Sequence, residues 1–425
     1  MKTALVEEAR RAVSKETIVE TIKVLSDVAA APGTELRAAE NLAAHWESTV
    51  LDSVVVVHRD GDSADVEAAT AQSEAGAAHL GFYSHLDTSL TGDTIVDAPI
   101  TGLTGPMPEL AVSENQAVGF GLSVARAPTA AALAGIAAAS SVLSHHEVPH
   151  HISHLVTGGG THRAYPLGGI VPPPDIATPG FGAGVHRSLR RGYRPDAVVN
   201  VKAAAPGVLY EEPGAMFVRM AVRGPMFPSL LRERLAPDGG AIGTGRQLLE
   251  AFEDWRETFV AQPASAQCGH EATVGAVRSG SFEKVDLVAA IFEAAAYVMF
   301  PPGEDPEAIT ADLTDAISAQ LNEDVEVEVY ASVVGGSSPP DATIVTLANE
   351  VWDEAHGTGS HVVSGWTGST DGAIFRNAGI DTVRIGLSTR PGDDPRTDVV
   401  ALDDVVVSAE MYAEMAVRFA TMDAT

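Results

Sequence analysis

His85 and Asp87 are the first residues in this sequence whose types and spacing suggest chemistry. They follow the apolar run Gly81–Ser84, and a His-x-Asp pair at the carboxyl end of a core strand is typical of metal sites and acid–base sites. Because side chains alternate along a strand, we expect His85 and Asp87 to lie on the same side. In a metal site the imidazole would be the ligand and the carboxylate would orient it. By itself such a pair is more often structural than functional.

A glycine-rich segment, Thr157–His162, follows a second predicted strand, Ile152–Val156. Its backbone N–H groups could cradle an anion. The segment lacks the Lys-Ser/Thr ending of a P-loop and the spacing of a dinucleotide fingerprint, so we do not predict a phosphate site. A group of histidines precedes it without a common helical or strand spacing, and we interpret these as solvated loop residues: His145, His146, His150, His151 and His154.

Gly368, Ser369, Thr370 and Asp371 form a predicted turn at the start of a helix. Backbone N–H groups and hydroxyls at such a position can hold a carboxylate, so these four residues are the candidate substrate-binding site. In the alternative interpretation, Ser369 and Asp371 only cap the helix. Downstream arginines at 376 and 384 are interpreted as solvated or as paired on the surface.

The charge balance excludes several classes of partner. The 425 residues include 27 Lys and Arg against 57 Asp and Glu, for a formal net charge of -30. Such a chain is unsuited to bind nucleic acid or an anionic membrane surface. Its single cysteine, Cys268, excludes an intrachain disulfide and a thiolate metal cluster. The amphipathic N-terminus and the lack of a long apolar span predict a cytoplasmic protein.

The order of predicted elements indicates an α/β protein with an insertion. Paired N-terminal helices lead into β-branched strands, and residues 1–212 form the first part of a catalytic-type domain. Residues 213–331 alternate strands and helices as a small α+β domain would. Residues 332–425 return to α/β alternation and complete the first domain.

The chain resembles the metallopeptidase and amidohydrolase family of acetylornithine deacetylase, succinyl-diaminopimelate desuccinylase, aminoacylase and glutamate carboxypeptidase. The resemblance runs nearly end to end and is carried by SHLDT at 84–88, PDAVVNV at 195–201, FPPGEDPEAI at 300–309, GSTDGAIFRNAGIDTVRIG at 368–386 and DVVALDDVVVSAEMYAEMAVRF at 398–419. It implies a zinc-peptidase-like catalytic domain, with a mixed sheet flanked by helices, and an inserted α+β lid domain through which the protein homodimerises. The family hydrolyses amides with water held between two metal ions and a glutamate as general base.

Most of the family's metal ligands have no counterpart here. Only the first histidine, His85, stands in register. The bridging aspartate falls at Val124, the adjacent glutamates at about Gly160 and Thr161, the later acidic ligand near Lys202 and the last histidine at about Asp394. In the inserted domain, the family's substrate-contacting histidine and arginine fall near Pro228 and Met299. Two divalent ions need several anionic oxygens, which this set does not supply.

Three functional hypotheses follow. In the first, a small carboxylate-bearing, amino-acid-like molecule binds without any cofactor, and His85, Asp87 and Lys202 carry any metal-free catalysis, since a desolvated lysine can act as base or nucleophile. Alternatively, Lys202 only pairs with Asp87. In the second, a metal-dependent amidohydrolase uses one zinc or manganese ion held by His85, His162 and Asp394. In the third, the chain is a non-catalytic dimerising partner.

Overall fold

The computed structural model describes residues 2–50, 52–70, 77–170, 180–202, 206–231, 239–321, 325–387 and 389–422. The helices in these ranges are α1 (Lys2–Ala12), α2 (Lys15–Ser26), α3 (Leu36–Thr49), α4 (Thr94–Thr101), α5 (Ala127–His145), α6 (Ala183–Arg191), α7 (Gly240–Val260), α8 (Pro306–Leu321), α9 (Thr343–His356), α10 (Gly372–Asn377) and α11 (Leu402–Ala420). The strands, in chain order, are β1 (Ser53–Asp60), β2 (Ser63–Thr70), β3 (His79–His85), β4 (Ala111–Val112), β5 (Gln116–Gly119), β6 (His151–Thr157), β7 (Ala197–Asn200), β8 (Glu211–Glu212), β9 (Gly214–Arg223), β10 (Phe227–Pro228), β11 (Glu271–Ser279), β12 (Leu287–Val288), β13 (Ile291–Phe300), β14 (Glu326–Val333), β15 (Gly336–Ser337), β16 (Asp381–Arg384), β17 (Arg390–Pro391) and β18 (Asp398–Ala401).

A six-stranded mixed sheet forms the centre of the main domain, in the order β1-β2-β6-β3-β7-β16. Strands β6, β3, β7 and β16 run parallel, whereas the hairpin β1-β2 joins β6 antiparallel. Because parallel strands end at the same edge, the residues that follow them are brought together there. The strands β17, β18, β5 and β4 form a separate four-stranded sheet, in that order.

Helices cover the central sheet because their apolar faces pack into one large core. The alanine-rich helix α5 is buried along most of its length and packs against α11, α2 and α1. The apolar stretch Leu122–His145 is long enough to span a membrane, but 83% of its most apolar window is buried inside the protein. It is therefore a core helix in this structure. The predicted α/β fold class, a mixed sheet flanked by helices with a lid, is confirmed.

A second sheet, β11-β13-β9-β14, is antiparallel and lies in residues 214–333, which we call the lid. Even-numbered residues of β9 and β13, such as Met220 and Ala296, pack with α7 and α8 in a separate core. Odd-numbered residues such as Phe217 and Tyr297 point to the other face. There they pack with Phe181 of the main domain.

The interpretation of the histidine group as solvated loop residues is wrong for three members. His151 begins β6, is half-buried, and stacks on His79. His154 lies inside β6 and is buried, with its Nε2 3.0 Å from Ser84 Oγ. His150 is also buried, and its Nδ1 lies 2.8 Å from the carbonyl of Val148. Burial lowers the pKa of His154, because the charged ring would lose its hydration. His145 and His146, by contrast, lie at the end of α5 and are not buried.

Candidate functional site

The carboxyl ends of β3, β6, β7 and β16 meet at one edge of the central sheet. His85 ends β3, Lys202 follows β7 by two residues, and the turn Gly368–Asp371 precedes α10 at the same edge. Electrostatic interactions link His85, Asp87, Lys202 and Asp371 to one another. We call these four residues, together with Tyr83 and Ser369, the site cluster. The fold thus brings together the catalytic and substrate-binding candidates predicted from the sequence.

Asp87 is bound by the glycine-rich segment that follows β6. Its two carboxylate oxygens accept hydrogen bonds from the backbone N–H groups of Gly160 and Thr161, at 2.8 and 2.7 Å, and from the Thr161 hydroxyl at 2.5 Å. The two preceding N–H groups donate to Glu35 and Asp65. The chain's own carboxylates therefore occupy the N–H groups that could have cradled an anion.

His85 is buried and is oriented by Asp87. Its Nδ1 lies 2.8 Å from the carbonyl oxygen of Asp87 and 3.3 Å from Asp87 Oδ1. A carbonyl oxygen only accepts, so the proton of the neutral ring is on Nδ1 and the lone pair is on Nε2. Nε2 is buried and has no hydrogen-bond partner among the described residues. Burial acts to raise the pKa of Asp87, but His85 and Thr161 outweigh it and lower that pKa.

Asp371 is a buried carboxyl that accepts a hydrogen bond from the hydroxyl of Tyr83. Thr157 Oγ1 lies 3.2 Å from the same hydroxyl. Burial raises the pKa of Asp371 to about 6, although the positive charges of Lys202 and His85 oppose the shift. The same burial, with the charge of Asp371, raises the pKa of Tyr83. Asp371 is therefore poised to exchange a proton near neutral pH.

The alternative in which Ser369 and Asp371 cap α10 is wrong. The side chain of Asp371 makes no capping hydrogen bond to the helix. The buried hydroxyl of Ser369 has no hydrogen-bond partner among the described residues. Both side chains are therefore left for another role.

Lys202 is 9% exposed, and its ammonium makes no ion pair or hydrogen bond with any residue that the structure describes. Burial lowers its pKa, while the charge of Asp371 is the strongest influence in the opposite direction. The alternative in which Lys202 pairs directly with Asp87 is wrong, because Asp87 is bound by Gly160 and Thr161. A buried cation without a direct partner is costly in a folded protein.

Arg376 and Arg384 are buried, which corrects the prediction that they lie at the surface. Both guanidinium groups bind the carboxylate of Glu212, which also accepts a hydrogen bond from the Thr370 hydroxyl. A Cβ atom on Gly372 would lie 1.9 Å from a Glu212 oxygen, so only glycine fits beside this carboxylate. We call Glu212, Arg376, Arg384 and Thr370 the arginine cluster.

His162 and Asp394, the other two candidate metal ligands, have different partners. His162 Nδ1 lies 2.8 Å from the hydroxyl of Tyr297 in the lid, and its ring stacks on Phe181 with 4.2 Å between centroids. Asp394 pairs with Arg396 at 2.7 Å. Across the described part of the chain, no three His, Cys, Asp or Glu side chains are arranged to hold a metal ion. His85, His162 and Asp394 thus do not form a ligand set here.

Three solved structures share this fold and are distant from the chain in sequence. The dipeptidase Dug1p from Saccharomyces cerevisiae is similar at a TM-score of 0.71 and 12% identity, over 99% of both chains. The M20 family metallo-carboxypeptidase Sso-CP2 from Sulfolobus solfataricus is similar at a TM-score of 0.70 and 14% identity, over 96% of this chain and 100% of its own. Human carnosine dipeptidase 1 is similar at a TM-score of 0.68 and 14% identity, over 98% of this chain and 99% of its own. No protein-family model matches the sequence. No curated protein matches it significantly.

The chain has the M20 metallopeptidase fold. Because this likeness rests on 12 to 14% identity, it concerns the fold alone. What the residues can do has to be judged from the site itself.

The described residues at this edge of the central sheet do not fit a two-metal centre. A Cβ atom on Gly160 would lie 2.6 Å from His85 Cβ and 2.8 Å from Asp371 Oδ2, so a larger side chain has no space there. The neighbouring Thr161 hydroxyl is bound to Asp87. Lys202, which the resemblance to the family aligns with an acidic ligand, brings an ammonium instead of a carboxylate.

Sequence analysis missed Tyr83, Asn200 and Glu212. Tyr83 lies two residues before His85 on β3, so strand alternation already placed it on the same face. Asn200 ends β7 and donates to Thr370 Oγ1 at 2.9 Å. Glu212 has no comparable pattern around it, because its partners lie more than 150 positions away in the chain.

Proposed function

We propose that this chain is a divergent member of the M20 amidohydrolase family that binds a small, carboxylate-bearing, amino-acid-like ligand without two-metal hydrolysis. The observation that carries the proposal is the ammonium of Lys202, which is almost fully buried and has no direct partner in the described structure. The negative charges of Asp371, Asp87 and Glu212 act on this ammonium, but none of them forms a direct ion pair with it. A ligand carboxylate supplies that interaction.

Ser369, His85 and Asp371 of the site cluster complement the rest of an amino-acid-like ligand. The hydroxyl of Ser369 can donate to the same carboxylate as Lys202. Nε2 of His85 and the carboxylate of Asp371 are acceptors, which suits them to an ammonium or amide N–H group. A ligand that carries both kinds of group satisfies all four side chains at once.

The same groups can move protons without a metal ion. Asp371 has a pKa of about 6, because of its burial, and so can give or take a proton near neutral pH. When the ring of His85 is neutral, its Nε2 carries a lone pair, and the ring is held in place by Asp87. Any reaction at this site would therefore be acid–base chemistry on the bound ligand by His85 and Asp371, with Lys202 holding its carboxylate.

A panel of free amino acids, N-acetyl amino acids and dipeptides, added to protein in EDTA, tests the proposal through the melting temperature. A molecule that binds only the folded state must raise that temperature. We expect a shift with at least one class, and an affinity at least about thirtyfold weaker in Lys202→Met, because the ligand carboxylate would lose its buried charge partner. Lys284→Met is the matched control, since Lys284 is an exposed lysine paired with Asp286 in the lid.

The outcomes separate the proposal from its alternatives. A shift that appears only with added zinc or manganese would favour the metal-dependent amidohydrolase. No shift with any compound, and unchanged behaviour in Lys202→Met, would favour the non-catalytic partner protein. A homodimer through the lid and a cytoplasmic location remain predictions from the sequence, and sedimentation of the purified protein tests the first.

A further inference from the structure

A cavity of about 500 Å³ opens on the lid, away from the site cluster. Its floor is the face of the lid sheet that does not contact α7 and α8, because Ala295 and Glu293 alternate with the helix-packed residues of β13. Tyr165 and Pro166 of the main domain form one side of the cavity, and Tyr330 of β14 contributes to another. The rings of His162, Phe181 and Phe217 contact one another in turn, and Phe217 contacts Tyr330 at the cavity.

We call this cavity the slot. Part of its floor carries small side chains, and Arg219 and Glu293 also line it. Ala276 on β11 pairs with Ala295 on β13, and neither fills the space above the sheet. Tyr165 and Tyr330 both line the space and are both half-buried. Aromatic walls over an alanine floor suit a flat apolar group, which stacks on rings at small entropic cost.

One cation at the cavity has no ion pair among the described residues. Arg219 is buried and lies near Glu293 at 2.6 Å, Glu326 at 3.4 Å and Glu328 at 3.7 Å, so it already has more than one carboxylate partner. Arg278 lines the slot opposite Glu293 of β13, is exposed, and makes no ion pair or hydrogen bond with any described residue. The group left to attract a ligand is therefore a guanidinium, which binds carboxylates in a planar, two-pronged geometry.

We infer that this slot is a second ligand site, which takes a small organic anion with a flat apolar body. The body lies over Ala276 and Ala295 between the tyrosines, and the anionic group binds Arg278. This inference does not rest on the function proposed for the site cluster, because none of its residues belongs to that cluster.

Binding of 2-naphthoate, measured by isothermal titration calorimetry, tests the inference. The neutral 2-naphthamide and the cationic 2-naphthylmethylamine are probes of matched shape. We expect the anion to bind best, and Arg278→Gln to weaken it about tenfold while leaving the amide unaffected. Ala295→Leu, which fills the floor, should abolish binding of both the anion and the amide. Ala276→Leu repeats the blocking test on the edge strand should Ala295→Leu fail to fold.

Two controls locate the binding. Arg246→Gln removes an exposed arginine of α7 on the opposite side of the lid and should leave the affinity unchanged. Lys202→Met should also leave it unchanged, which separates the slot from the site cluster. Three results would each overturn the inference. They are equal affinity for all three probes, undiminished binding in folded Ala295→Leu or Ala276→Leu, and loss of binding in Lys202→Met.

Discussion

Two buried polar clusters lie side by side at the carboxyl edge of the central sheet, and they differ in whether their charges are paired. In the arginine cluster, Glu212 receives hydrogen bonds from Arg376, Arg384 and Thr370. In the site cluster, the ammonium of Lys202, Nε2 of His85 and the hydroxyl of Ser369 have no direct partner in the described structure. Both clusters are withdrawn from water to a similar degree.

This difference in charge pairing indicates that the arginine cluster maintains the fold and that the site cluster is available for a ligand. Burying a charge is tolerated when hydrogen bonds replace its hydration, and the arginine cluster meets this condition. Its remaining guanidinium donors also bind backbone carbonyls, as Arg376 does with Leu209 and Thr382. The unpaired groups of the site cluster lack such hydrogen bonds, so they do not add to stability in the absence of a ligand. Mutation of the arginine cluster should therefore cost more stability than mutation of the site cluster.

The largest effect is expected from Glu212→Gln. This change leaves two buried guanidinium groups without their anion, so the free energy of unfolding should fall by about 3 to 5 kcal/mol. Urea unfolding measures it. Glu250→Gln makes the same chemical change in the exposed Arg246–Glu250 pair and should cost less than about 1 kcal/mol. Equal costs for the two variants would show that the arginine cluster does not stabilise the fold as its geometry indicates.

An intermediate, pH-dependent effect is expected from Asp371→Asn. The folded-state pKa of Asp371 is raised to about 6 from 3.8, so the folded protein binds this proton more tightly than the unfolded chain. Its contribution to stability is therefore present below pH 4 and is lost as the pH rises to about 6. Between pH 4 and pH 7 the wild type should lose about 1 to 3 kcal/mol relative to the variant. The difference between their unfolding free energies at each pH measures this loss and cancels the titration of other groups. A constant difference would mean that Asp371 does not titrate in this range.

The smallest change in stability is expected from Lys202→Met. An ammonium without a direct partner gains little from its surroundings, and methionine fills a similar volume without a desolvation cost. The free energy of unfolding should therefore change by less than about 1 kcal/mol, even though ligand binding is lost. Urea unfolding beside Lys284→Met provides the comparison. A loss of 3 kcal/mol or more would place Lys202 with the arginine cluster, as a residue that maintains the fold.

Local patterns in the sequence were sufficient for part of the site. Strand alternation placed His85 and Asp87 on one side of β3, and their 3.3 Å separation agrees with this. The absence of a P-loop ending argued correctly against a phosphate cradle after β6, since those N–H groups bind Asp87 and other carboxylates. Local patterns failed for Arg376 and Arg384, because their anion, Glu212, is distant in the chain. They failed also for His154, which contacts Ser84 only after β6 pairs with β3.

Residue types and their order along the chain were enough to predict the α/β fold class, which the structure confirms. The bounds of the insertion and the loss of the two-metal centre stay predictions from the same patterns. These properties depend on residue type and short-range spacing, which can be read along the chain. Tertiary structure alone decided that Tyr83 donates to Asp371, 288 positions away, and that Lys202 is buried without a direct partner. Whether a polar group is paired depends on which strands become neighbours in the sheet. That is a property of long-range packing, which no local pattern encodes.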